Sequence, residues 1–63
     1  MILLFQERAD MVYTRTSGSM VVVICVKSWE CVVALELEDG GVAMLVRVPM
    51  ASMVDVVDEV IKV

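Results

Sequence analysis

The chain has 63 residues, 60% of them hydrophobic, with nine acidic and five basic side chains, a net charge of −4 and no histidine. That length holds one domain at most and hides only roughly 60% of its extended surface on folding, so the fold is marginal by itself and the usual supports are a disulfide, a metal or a second chain. There is no histidine to act as general base or to pair with a Ser or Cys nucleophile, and the acidic balance argues against broad contact with nucleic-acid phosphate; neither enzymatic activity nor a cofactor is expected.

Residues 1–16 open with ILLF and MVYT, two β-prone runs separated by a polar break from Glu7 to Asp10. The reading is two short strands, the second pairing with residues 20–26 through a Ser17-Gly18 turn; a helix over residues 2–13 is the alternative. The start is too short for a signal-peptide core. The longest apolar run, Met20 to Val26, ends at Lys27, far from the about 20 apolar residues that span a bilayer. No membrane association is expected, and a cytoplasmic location is.

Three strands follow, over residues 20–27, 31–38 and 42–48, separated by Lys27-Ser28-Trp29-Glu30 and Glu38-Asp39-Gly40-Gly41. Both separators are hairpin signals. A two-residue corner at Ser28-Trp29 sets Lys27 opposite Glu30, Val26 opposite Cys31, Ile24 opposite Val33 and Val22 opposite Leu35. A corner at Asp39-Gly40 sets Leu37 opposite Val42, Leu35 opposite Met44, Val33 opposite Val46 and Cys31 opposite Val48. Because strand side chains alternate, one face then becomes wholly apolar, with Met20, Val22, Ile24 and Val26 on its first strand. The other face has an apolar middle of Val21, Val23, Cys25, Val32, Ala34 and Leu45, ringed by Lys27, Glu30, Glu36, Glu38 and Arg47. An apolar centre inside a charged rim has the composition of an interface. The alternative is a face covered by the N-terminal segment.

Pro49 stops the ladder, and residues 50–62 have helical period. Met50, Met53, Val54, Val57, Val60 and Ile61 form the apolar stripe; Asp55, Asp58, Glu59 and Lys62 form the polar one. Ser52 with Asp55 resembles a capping box, or Pro49 takes the first helical position. Lys62 follows Asp58 by four residues, a spacing that suits an ion pair. Valine is a poor helix former, so packing on the apolar sheet face must hold this helix.

The segment CVKSWEC, residues 25–31, carries both cysteines. With the two-residue corner, Cys25 and Cys31 fall on opposite faces and cannot bond. A three-residue loop, Lys27 to Trp29, would set them directly opposite and allow a disulfide. The apolar-face argument favours the first arrangement and two structural thiols. A metal site would need two more ligands, and no histidine or further cysteine exists, so none is expected. The carboxylates Glu36, Glu38 and Asp39, and the set Asp55, Asp58 and Glu59, read as solvated surface.

The fold class is α+β: a single domain with a small antiparallel meander of three to five strands packed on a C-terminal helix. Element order and size resemble the small archaeal chromatin proteins and the single-strand-binding transcription cofactors with a curved sheet and a following helix. The basic sheet residues of those groups are missing here. The expected function is non-enzymatic association, with a second copy or another protein, through Val21, Val23, Val32, Ala34, Leu45 and Trp29. The alternative is nucleic-acid binding through Trp29, Lys27, Arg47, Arg15 and Tyr13.

Overall fold

A computed structural model describes residues 9–62. The expected strand over ILLF lies outside that range. Within it the chain forms strands β1 (Met11–Thr14), β2 (Met20–Lys27), β3 (Glu30–Glu36) and β4 (Val42–Pro49), a 3-10 turn (Met50–Ser52) and helix α1 (Met53–Lys62). The strands make one antiparallel sheet in the order β1-β2-β3-β4, and α1 packs across one face. This is the α+β meander-plus-helix architecture that the turn spacing predicts.

The first and last hairpins close with the same three-residue geometry. In β1–β2, Gly18 N–H donates to the Arg15 carbonyl (3.0 Å) and Arg15 N–H to the Ser19 carbonyl (2.8 Å). In β3–β4, Gly40 N–H donates to the Leu37 carbonyl (2.9 Å) and Leu37 N–H to the Gly41 carbonyl (2.8 Å). Each loop ends on a glycine with positive φ, 93° at Gly18 and 92° at Gly40, a conformation that costs a residue with a Cβ. The Asp39 carboxylate accepts the Gly41 N–H at 2.8 Å and stiffens the second loop. The two loops meet, because the Glu38 carboxylate lies in the space a Cβ on Gly18 would fill.

The middle hairpin departs from the alternation reading. Lys27 does pair with Glu30 across the Ser28-Trp29 corner, but Val26 is then bulged out of the ladder. Beyond the bulge the register is Cys25 with Cys31, Val23 with Val33 and Val21 with Leu35. A one-residue slip exchanges the faces of a strand, so Val21 and Val23, not Val22 and Ile24, lie under the helix. The run MVVVICV is apolar at every position, so alternation offers no energetic preference between the two registers. The opposite-charge pair at the corner is also not formed: Lys27 Nζ sits 5.5 Å from the Trp29 ring centroid, and Glu30 bonds Arg47.

In the last hairpin Cys31 opposes Val48, Val33 opposes Val46 and Leu35 opposes Met44, as expected. An irregularity at Ala43 then pairs Glu36, not Leu37, with Val42. Consequently β3 ends at Glu36 and Leu37 closes the turn.

Val21, Val23, Cys31, Val33, Met53 and Val57 form the core, with Met11, Tyr13, Leu35, Met44, Val46 and Val48 packed around them. Each fully buried valine contributes about 1.5–3 kcal/mol of apolar transfer free energy, which outweighs the weak helix propensity of α1. Val56 takes the place expected for Val54, which is 65% exposed. Val54 lies about 100° around the helix from Met53, on the flank of the buried stripe. Pro49 is neither first helical residue nor replaced by a Ser52 cap. It precedes the 3-10 turn in extended conformation (φ −60°, ψ 146°), with no side-chain cap. The entry is held instead by Met50 N–H, which donates to the Trp29 carbonyl at 2.8 Å and ties the helix start to the β2–β3 corner.

On the second sheet face Val22 and Ala34 are buried, Ile24 and Val32 are half-buried, and Leu45 and Val12 are exposed. Glu36, expected on the charged rim, is instead 1% exposed, and its Oε2 has no hydrogen-bond partner.

Candidate functional site

Two regions gather the residues singled out by sequence. The first is the bulged corner. Here the two cysteines face each other directly, with both thiols free and the Sγ atoms 3.5 Å apart. The Cys31 thiol also donates to Met50 Sδ at 3.5 Å, so three sulfur atoms lie in a row beneath the start of the helix. Their accessibility is unequal: Cys25 is exposed and Cys31 fully buried. Asp10 completes the edge of the bulge. Its N–H donates to the Val23 carbonyl (2.9 Å) and its carboxylate accepts the Cys25 N–H (2.7 Å). The hydrogen bond to Cys31, then desolvation and the negative field of Cys31 and Asp10, push the Cys25 thiol from 9.0 up to about 11. The opposite-face arrangement expected for these cysteines is therefore corrected. The two-residue corner is present, but the Val26 bulge restores the pairing that the three-residue loop alone was expected to give.

Just outside the sulfur row, Trp29 is 65% exposed, with Lys27 over its ring. An exposed pairing of this kind is worth about 0.5–1 kcal/mol. Arg47 Nη2 reaches Glu30 Oε1 at 3.0 Å across the neighbouring strands. The remaining members of the proposed nucleic-acid set are elsewhere. Arg15 sits beyond the other end of the eight-residue β2, roughly 27 Å away along the strand, where its Nη1 donates to Ser19 Oγ at 3.0 Å. Tyr13 turns toward the helix face, and its hydroxyl donates to Met11 Sδ at 3.3 Å. Trp29, Lys27 and Arg47 thus cluster at one end, and Arg15 and Tyr13 do not join them.

The second region is the expected interface, which the register divides. Val21 and Val23 are core residues with no exposed surface; Val32, Ala34 and Leu45 do share the second face; Trp29 stands at the corner. Of the second-face residues Leu45 is 56% exposed and Ala34 buried, so accessible apolar surface lies along β4, where Val42 is also 41% exposed. β4 is an edge strand, and among the described residues its outer side has no paired strand.

Two depressions flank these regions. One, of about 390 Å³, lies at the loop end and is lined by Arg15, Ser17, Ser19, Leu37, Glu38 and Asp39. The other, of about 220 Å³, is an apolar notch between α1 and the sheet, lined by Leu35, Met44, Glu59 and Val60. Among the described residues no three His, Cys, Asp or Glu side chains converge as a metal site. No described helix is long and apolar enough to cross a membrane. Glu36 lies on the face that alternation gives it, but its exposure is misjudged: as a charge at a strand end it reads as rim, and nothing in its neighbourhood of sequence marks it as buried.

No protein-family model matches this sequence, and neither a curated protein nor a solved structure is significantly similar to it.

Proposed function

We propose that this chain is a non-enzymatic self-association module that joins two copies along β4. The observation that carries this reading is Leu45, 56% exposed on an edge strand of eight residues whose only charge is Arg47. An unpaired edge offers backbone donors and acceptors that another strand satisfies, and a two-fold axis near Leu45 would extend the sheet and set the two leucines side by side. The 60% hydrophobic composition supports the same reading, since it exceeds what one small core removes from water. Arg47 is already neutralised by Glu30 and so puts no unpaired charge in the seam. Val32 and Ala34 would lie behind the contact as its floor. The alternative, nucleic-acid binding, has only Trp29, Lys27 and Arg47 at one place, one of them committed to an ion pair.

Light scattering on a sizing column tests the proposal. The expected mass is twice the 7.0 kDa of one chain. Leu45→Lys, at an exposed site, should return it to a single chain that keeps the circular dichroism spectrum of the fold. A wild-type mass of one chain at the highest soluble concentration would reject the proposal. So would a dimer indifferent to both Leu45→Lys and Val42→Lys.

A further inference from the structure

We propose that Cys25 and Cys31 are a dithiol site that reacts with small-molecule disulfides and closes into an intrachain disulfide across the β2–β3 ladder. The geometry comes from the bulge. Residues directly opposed in an antiparallel pair have Cβ atoms about 4.5–5.5 Å apart, and a disulfide requires about 3.5–4.5 Å. The sulfur atoms are 3.5 Å apart and already share a hydrogen bond. Reaching a bond of about 2.05 Å requires a closing movement of about 1.5 Å. The irregular backbone between Cys25 and Lys27 is the place where the strand can flex to allow it.

Unequal exposure assigns the order of events. Only Cys25 meets solvent, so Cys25 is the attacking thiol and the buried Cys31 the resolving one. The Cys25 thiolate attacks one sulfur of a disulfide such as glutathione disulfide. A Cys25–glutathione bond forms and one glutathione thiolate leaves. Cys31 then gives up its proton, leaves its contact with Met50 Sδ and attacks Cys25 Sγ. The second glutathione thiolate departs and the Cys25–Cys31 bond is made. The chain loses two protons and two electrons, which the small disulfide takes up to become two thiols. The high proton affinity of the Cys25 thiol makes the first step slow at neutral pH and faster as the solution becomes alkaline. The second step is intramolecular between sulfurs already in contact, so the mixed adduct should not accumulate.

The test uses the full chain and glutathione disulfide, with acid quenching and intact-mass analysis over time. The expected product has lost two hydrogens, carries no free thiol, migrates as a single chain, and yields a peptide cross-linked between Cys25 and Cys31. It should exceed the mixed adduct by at least about tenfold. Cys31→Ser should stop at a glutathione adduct on Cys25, and Cys25→Ser should stay unmodified because Cys31 is buried. If Cys31→Ser fails to fold, early quenching of the wild type should still place the transient adduct on Cys25. A stable adduct in the wild type, a disulfide between two chains, or first modification at Cys31 would each overturn the proposal.

Discussion

Replacing Val23 and Val26 separately by alanine tests the bulge on which the middle of the sheet depends. Under uninterrupted pairing from the Ser28-Trp29 corner, Val26 would be a core residue opposite Cys31 and Val23 would face outward. In the structure Val23 is 0% exposed and packs among Val33, Met53 and Val57, while Val26 is 47% exposed. Val23→Ala removes two methyl groups from a closed core. At about 0.8 kcal/mol per buried carbon that is about 1.6 kcal/mol, and the residual cavity raises it to about 2–3 kcal/mol. Val26→Ala, at a site about half exposed and outside the ladder, should cost less than about 1 kcal/mol. A chain of this size has total stability on the order of 3–9 kcal/mol, so a difference of this size is a large, measurable share of the total. Urea unfolding followed by Trp29 fluorescence and circular dichroism gives the two differences directly. If Val26→Ala costs more than Val23→Ala, the bulge is wrong, and the opposed cysteines fall with it. Val22 and Ile24 would not discriminate, since neither is exposed in the bulged arrangement.

Two further predictions follow from buried and perturbed groups. Glu36→Leu should raise stability by about 1–3 kcal/mol at neutral pH, the cost of a buried polar group without a partner; a loss on urea unfolding would mean that Oε2 is satisfied. The Cys25 thiol holds its proton more tightly in the folded chain than in the unfolded one, so its contribution to stability is complete below pH 9.0 and is lost as pH rises toward about 11. Cys25→Ser should flatten that decline, and wild-type Cys25, although exposed, should alkylate slowly with iodoacetamide at neutral pH. Fast neutral alkylation would contradict the hydrogen-bonded thiol.

Much of the candidate site was readable in parts but not in its assembly. CVKSWEC identified the corner, and Ser28-Trp29 are indeed its two central residues. What spacing could not supply was the extra residue at Val26, because a bulge carries no turn signature inside a run, Met20 to Val26, that is apolar throughout. The same indifference put Val21 and Val23 among the interface residues. Leu45 was placed correctly because β4 is interrupted by Arg47 and Pro49, which leave one acceptable register against β3. Glu36 escaped detection for the opposite reason: its chemistry suggests exposure, and only the packing around it reveals burial.

The order of the elements, and the turns that divide them, are written locally in the chain. Glycines in SGS and EDGG allow the positive φ that tight hairpins need, Pro49 ends the last strand, and the 3.6-residue stripe after it makes a helix that must find an apolar face. These are local constraints, enforced within a few residues of where they are written. Tertiary structure alone decided which valines of β2 go beneath that helix, that Cys25 meets Cys31 rather than lying behind it, and that Glu36 is enclosed. The first two outcomes depend on a one-residue slip between strands and the third on the packing around the end of β3; where both faces of a strand are apolar, only contacts made with the rest of the molecule can set its register.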